Sequence, residues 1–493
     1  MTQSQTLTSD GAAPSLEQLA GAPTALALVI AWAPGEPGRV GDVCVVPASK
    51  SETLAFTLGR GRARADGDDA RLEFARHRPG AFEPRPPLSS ARISRRQLVV
   101  RVQGEQLAVQ NVGRCPLHHN GAPVESAEVA PGDTLRLGGE LLLVCVRRPA
   151  WLAPVDERLV RAPFGDPDAY GFVGESAAAW QARRQLAFMA ARTEHVLVVG
   201  ESGTGKEIAA RSLHELSPRA QMPFCARNAA TFPEGIIDSE LFGHARNYPN
   251  AGMPERPGLL AQAAGGTLFL DELAELPASL QTHLLRVLDD GEYQRLGEAG
   301  ARVSEARFVG ATNRPELLRP DLAARFRLSL RMPGLNERIE DIPLLVLHIL
   351  RSIARTSADM RARIEPDGAP RVAIRFVDAL MRRRYTTHVR ELEGLLWKAL
   401  ADRDERANGK DGVLDGRLEE LRDEPSSPSR QVPVAKADPR KVSARAIASA
   451  LAENEGNRER TWRALGLGSR HVLTRLMAKH GLRRPGPASA DES

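Results

Sequence analysis

The stretch HVLVVGESGTGKEIAARSLHEL, residues 195 to 216, constrains the fold more than any other part of the chain. An apolar run leads into a glycine-rich turn, and the turn opens a segment of helical periodicity. The spacing from Gly200 through Gly205 to Lys206 is that of a P-loop, in which backbone N–H groups at a helix N-terminus cradle phosphates and the lysine meets the terminal ones. Gly200, Glu201, Ser202, Gly203, Thr204, Gly205 and Lys206 are therefore candidate nucleotide-binding residues, with Glu207 standing where the general motif has Ser or Thr. Strands alternate with helical patterns from about 171 to 402, which predicts a parallel sheet covered by helices.

About sixty residues further on, GGTLFLDE (265 to 272) reads as a buried strand ending in two carboxylates. Asp271 suits the shell of a Mg²⁺ ion and Glu272 suits orienting or activating a water, a division of labour that phosphoryl transfer requires. A nucleotide phosphate chain and Mg²⁺ are what this pairing implies.

Composition bounds the remainder. With 493 residues, 42% hydrophobic and 26% charged, the chain is long enough for two to four globular domains. No apolar run is long enough to span a membrane and no signal peptide opens the sequence, so a cytoplasmic protein is expected. Cys44, Cys115, Cys145 and Cys225 lack metal-ligand spacing and read as single buried thiols. The formal charge of +5 is unevenly placed: Lys436 to Arg484 holds 12 Lys and Arg against 4 Asp and Glu, a net of +8. A basic C-terminal module on a near-neutral body points to a polyanionic partner.

The expected organisation is multidomain. Residues 1–37 form a partly flexible extension, although TALALVIAW (24 to 32) can open a strand. Short β-like runs over 38–147 predict a β-sandwich, followed by a linker at 148–170. An α/β core at 171–340 and a helical lid at 341–402 come next. A linker at 403–439, an all-α helix-turn-helix at 440–484 and a flexible tail at 485–493 complete the chain. In the C-terminal module Ile447, Ala450 and Leu451 stripe one helix, and Val472, Leu473 and Leu476 form the buried face of the last. Arg470, His471, Thr474, Arg475 and Lys479 are left on its outer face, as a recognition helix in a DNA major groove requires.

The segment 171–402 resembles the AAA+ domain of sigma-54-dependent activators, the bacterial enhancer-binding proteins, through GESGTGKE, SELFGH and GGTLFLDE. The resemblance implies that Asn228 couples Glu272 to the nucleotide state, and that Asn313 of GATN lies near the γ-phosphate. It implies that Arg319 and Arg325 of RPDLAAR reach across to a neighbouring subunit's nucleotide, and that Arg390 of THVRELEG is a second sensor. The family's Trp-Pro-Gly-Asn before that arginine has become Tyr-Thr-Thr-His. Arginines acting in trans imply a homo-oligomeric ring, with a hexamer the expected size. The C-terminal module resembles the Fis-type helix-turn-helix of the same family, implying double-stranded DNA as partner. LGRG, ISRRQ and HNG resemble a forkhead-associated domain, implying that Arg60, Ser94 and Arg95 hold a phosphothreonine of a kinase or other protein. That family's His two residues after Ser-Arg is Gln97 here, which leaves a sandwich used only for protein contacts as the alternative.

Between SELFGH and GGTLFLDE the family places a Gly-Ala-Phe-Thr-Gly-Ala tip that grips the sigma factor; at 247–252 this chain has Asn-Tyr-Pro-Asn-Ala-Gly. Tyr248 is then either the anchor of a rewired tip or part of a loop whose contact has been abandoned. Two functions are consistent with these readings. One is an ATP-hydrolysing regulator acting on RNA polymerase holoenzyme, with sigma-54 as the candidate sigma factor. The other is a non-remodelling DNA-binding repressor, or a modulator of another sigma factor.

Overall fold

The computed structural model describes residues 24–47, 55–61, 70–232, 235–365, 368–405 and 413–416, together with single helical positions between 444 and 479. The chain divides into a large unit, 1–422, and a small one, 423–493.

The large unit opens with two β-sheets packed face to face. The first has eight strands, with Thr24–Trp32 and Leu141–Pro149 side by side at its centre, and the second has five, including Leu98–Gln103 and Gln106–Asn111. Leu28 pairs with Cys145 in an antiparallel register that shifts between Ile30 and Trp32. Period two divides Thr24–Trp32 between two cores. Leu26, Leu28 and Ile30 pack inside the sandwich with Leu98 and Val100. Ala27, Val29 and Ala31 pack with Val346, Leu350, Phe376 and Leu380 of the helical lid. TALALVIAW is apolar without alternation because both its faces are covered.

This strand corrects the expected boundaries. The sandwich starts at Thr24, inside the stretch read as an extension, and its last strand runs to Pro149. TALALVIAW is readable as a strand, but a run without polar positions does not show which body covers it, and the Pro and Gly residues around it suggest an extension. The stretch 148–170 contains the short helix Glu157–Val160, capped by Asp156, and is not a bare linker. Likewise Leu414 bridges to Val372 and is buried in the lid's core, although it lies within the expected linker 403–439.

The α/β core is a five-stranded parallel sheet in the order Phe224–Asn228, Thr267–Asp271, Arg307–Thr312, Val196–Val199, Leu328–Arg331. Helices Ala177–Ala190 and Lys206–Glu215 pack on one face around Val198 and Leu213, and Ala278–Asp290 on the other around Leu268 and Leu284. The lid comprises Ile342–Ala354, Ala358–Ile364, Ile374–Arg382 and His388–Glu405.

Buried hydrogen bonds and ion pairs fix the sandwich to the core and lid. Arg148 Nη1 donates to Glu340 Oε2 at 2.9 Å and its Nη2 to the Glu175 carbonyl at 2.8 Å. Arg78 ion-pairs with Glu175, which also accepts from Trp180 Nε1 at 3.1 Å. Thr134 Oγ1 donates to Asp378 Oδ1 of the lid at 2.6 Å. Asp341 accepts from Ser176 Oγ at 2.6 Å, tying the start of the lid to the cap of the first core helix.

Cys44, Cys115 and Cys145 are buried single thiols, and burial pushes Cys44 and Cys145 up to about 12. Among the described residues no cluster of His, Cys, Asp and Glu is built to hold a metal, and no helix is long and apolar enough to cross a membrane. In the small unit Ile447, Thr461 and Met477 are helical and buried, while Thr474, Arg475 and Lys479 are helical and exposed. Arg470 and His471 lie outside the described residues.

Candidate nucleotide site

Parallel register places the site. In such sheets the carboxyl ends of the strands form the binding edge. Asn228 is the register partner of Asp271, and Val199 that of Thr312, so that the strand ends 228, 271, 313 and 200 lie along one edge. Gly203 and Gly205 both adopt left-handed backbone, with φ of 79° and 97°, which a loop folding back around an anion requires of glycine. Gly205 then caps Lys206–Glu215, leaving the N–H groups of that helix's first turn at the loop.

The Lys206 ammonium is 7% exposed and donates to the Gly200 carbonyl at 3.1 Å, while its nearest carboxylate, Glu272 Oε1, is 3.9 Å away. Its charge is thus only loosely matched, as a lysine awaiting phosphate should be. Glu272 itself has left-handed backbone, φ 51°, a strained conformation for a non-glycine that is found preferentially at functional sites. Its N–H is held by Asp271 Oδ1 at 2.9 Å. Asn228 Oδ1 accepts from the Ala230 N–H at 2.9 Å, which fixes its amide at the neighbouring strand end. Asn313 Oδ1 is buried without a hydrogen-bond partner. An orphaned acceptor at this edge, loop N–H groups and a half-matched lysine together fit a nucleotide phosphate chain with its cation. Asp271 is the carboxylate available to Mg²⁺, which is commonly held by one or two carboxylates together with substrate phosphates. Glu207 instead pairs with Arg211 at 3.0 Å on the exposed side of its helix.

A cavity of about 710 Å³ lies over these residues, between core and lid. Its polar wall comprises the loop from Ser202 to Lys206 with Asn228, Asp271 and Glu272. Its apolar wall is Phe172 and Val173 of the core with Leu345, Ile349 and Ile353 of the lid, dimensions and chemistry that suit a purine. His348 also lines it, and burial, with Arg355 nearby, holds its imidazole below the ordinary value. Arg390 lines the cavity from the lid, its Nη1 donating to Ser202 Oγ at 2.8 Å.

Arg319 and Arg325 are not part of this cavity. Arg319 pairs with Asp321 and donates to Thr282 Oγ1 at 2.6 Å, and Arg325 Nε lies 2.8 Å from Asp289 Oδ1, both on partly exposed surface. Sequence reasoning missed His388, whose ring joins the P-loop to the lid. The substituted tetrapeptide before Arg390 was the available signal.

The loop 243–258 is a two-stranded stalk, Gly243–His244 with Arg256–Pro257, carrying a closed tip. Asn247 N–H donates to the Met253 carbonyl at 2.9 Å, and Asn247 Oδ1 accepts from Gly252 N–H at 2.9 Å. Tyr248 lies over Gly297 of the adjacent hairpin, where an added Cβ would come within 2.6 Å of its ring. At the sandwich end Arg60 N–H donates to the Ser94 carbonyl at 3.1 Å, and Arg71 donates to the carbonyls of both Arg60 and Arg95. Arg60, Ser94 and Arg95 thus occupy adjoining loops. Buried Gln97 accepts from Ser94 N–H at 2.9 Å and donates to Asn111 Oδ1 at 2.7 Å, bracing that loop.

A P-loop on the second-from-edge strand of a five-stranded parallel sheet, an acidic strand end two strands away and a helical lid above define an AAA+ nucleotide-binding domain. The family described as Sigma-54 interaction domain matches residues 172–332. The DNA-binding transcriptional regulator NtrC of Rhizobium meliloti is 32% identical over 356 residues, covering 70% of this chain and 69% of that protein. NtrC of Azospirillum brasilense is 38% identical over 249 residues, 49% of this chain and 50% of that one. The transcriptional regulator VasH of Vibrio cholerae is 38% identical over 232 residues, 45% of this chain and 42% of that one. Among solved structures, NtrX from Brucella abortus in complex with ADP is 26% identical, covering 64% of this chain and 70% of that one at a TM-score of 0.44. The chain belongs to the NtrC-like family of sigma-54-dependent transcriptional regulators.

Proposed function

We propose that the protein hydrolyses ATP with Mg²⁺ in a homo-oligomeric ring and uses the cycle to regulate transcription from DNA bound by its C-terminal module. The observation that carries this reading is the convergence of Lys206, Asp271, Glu272, Asn228 and Arg390 on one cavity. Mg²⁺, held by Asp271, would supply charge neutralisation on the phosphates. Lys206 Nζ and the loop N–H groups bind and orient the terminal phosphate. Glu272 orients the attacking water and takes up its proton at the carboxylate. Asn228, fixed on the adjoining strand, reports to Glu272 whether the terminal phosphate is present. Arg319 and Arg325, outside this chain's own cavity, complete that of the adjacent protomer.

Thr474, Arg475 and Lys479, exposed on helical backbone beside buried Met477, support DNA contact by the small unit. The gathering of Arg60, Ser94 and Arg95 supports phosphothreonine binding by the sandwich. The named relatives weigh against a regulator that does not remodel polymerase. The closed loop tip carrying Tyr248 is the place where the two readings differ.

The test is ATP turnover by the full chain. Lys206→Ala and Glu272→Gln should each abolish it, and mixing Lys206→Ala protein with Arg325→Ala protein should restore part of it. Turnover in either of the first two variants at the parent rate would remove the catalytic assignment. Open-complex formation with sigma-54 holoenzyme on a promoter carrying the protein's site then separates activator from repressor.

A further inference from the structure

Four consecutive lid residues grip three consecutive P-loop residues. Val389 N–H donates to the Gly203 carbonyl at 3.2 Å, and Arg390 donates to Ser202 Oγ at 2.8 Å. The Thr387 carbonyl approaches Gly203 so closely that an added Cβ would stand 2.1 Å from it. His388 supplies the remaining contact, its Nε2 lying 3.0 Å from Glu201 Oε2.

The imidazole is held in one state. It is 2% exposed, and Gly334 must lack a side chain because a Cβ there would lie 2.5 Å from the ring. Leu335 N–H donates to Nδ1 at 3.2 Å. Nδ1 is therefore an acceptor, the proton sits on Nε2, and Nε2–H donates to the Glu201 carboxylate. The backbone of His388 is left-handed, φ 48°, a conformation that Asn tolerates as well as His does.

We propose that His388 is a positioning residue of the nucleotide site: through Nε2–H it holds Glu201, and so sets the P-loop relative to the lid that carries Arg390. The proposal rests on the reading of this cavity as a nucleotide site. A purely structural role is a poor account of the Glu201 contact. The Glu201 side chain is 70% exposed, and an exposed pair contributes little to folding. What the contact changes is the path of the loop, and a P-loop displaced by a fraction of an ångström cradles phosphate less well.

Two variants separate the roles. In His388→Asn the side-chain oxygen still accepts from Leu335 N–H and the backbone stays left-handed, but the amide is too short to reach Glu201. Glu201→Gln leaves the imidazole in place and removes the charge it holds. The measurement is titration of a fluorescent ADP analogue with Mg²⁺ into the full chain. Each variant should weaken binding on the order of tenfold, the scale of a hydrogen bond to a charged group, and the double variant should be no weaker than either alone. Thermal unfolding without nucleotide should be unchanged in Glu201→Gln, whose side chain is exposed, while His388→Asn should lower Tm through its smaller buried side chain, so the non-additive loss of affinity in the double variant is the discriminating readout. Parent-like affinity in His388→Asn, or additive losses in the double variant, would overturn the proposal while leaving the nucleotide site intact. Failure of the parent itself to bind the analogue would instead overturn the nucleotide reading, and the role of His388 with it.

Discussion

Replacing Arg148 by Met should destabilise the large unit by about 3–5 kcal/mol, the usual cost of removing one partner of a buried ion pair. Arg148 is 1% exposed and bonds both Glu340 and the Glu175 carbonyl, so a methionine of similar length would fill its volume but leave two buried acceptors unmatched. Glu340 is itself 8% exposed, and burial already holds its carboxyl above the ordinary value despite Arg148. Without the guanidinium it should rise further and take up a proton in the folded state. Because the folded state then binds more protons than the unfolded one, the deficit should shrink as pH falls below 7. Neutralising the orphan by Glu340→Gln in the same chain should recover most of the loss, leaving about 1–2 kcal/mol for the imperfectly satisfied amide and carbonyl. Urea unfolding read from tryptophan fluorescence is suitable, since Trp32 and Trp180 both lie in the region this pair braces. A single-variant loss below about 1 kcal/mol, or a double variant whose loss is the sum of the two single losses, would refute the reasoning.

Further outcomes follow from other sites. Burial beside Arg148 holds His77 down to about 4, so the unfolded chain binds the extra proton between that value and about 6.5. Stability should therefore fall as pH drops through that window, by up to about 3 kcal/mol from this residue, and His77→Leu should flatten the acid limb of a stability–pH curve. Gly203→Ala meets both a left-handed backbone and the Thr387 carbonyl, and should reduce ADP-analogue affinity by at least tenfold in the titration described for His388. Gly297→Val should displace Tyr248 and increase protease cleavage within 245–255 while leaving ATP turnover measurable.

Much of the nucleotide edge was legible because its chemistry is local in sequence. Gly200 to Lys206 form one turn, and Asp271 and Glu272 stand at the end of one strand, so spacing alone was enough to single them out. Asn228 is reached only through resemblance, since its pairing with Asp271 depends on a strand order that spacing does not give. What sequence could not show depends on packing between distant segments. His388 gains its role from Glu201, Gly334 and Leu335, and its left-handed backbone leaves no pattern in composition. Tyr248 is an exposed aromatic in the structure as well, but its contact with Gly297 has no signature in the sequence. The sequence places the boundary at 38 and not at Thr24 for a different reason: TALALVIAW can be read as a strand, but a run that is apolar on both faces does not show that it belongs to the sandwich.

That strand has a thermodynamic consequence. Ala27, Val29 and Ala31 belong to the lid's core while Leu26, Leu28 and Ile30 belong to the sandwich's, so a rotation of the lid away from the sandwich would expose apolar surface of a shared core. That cost links sandwich orientation to lid angle. Under the proposed function, a ligand at the Arg60 end and a nucleotide under the lid that each favour a particular lid angle would change each other's affinity by the same factor. Measured from either end, the coupling is a single number, and it vanishes only if one of the two ligands is indifferent to the lid.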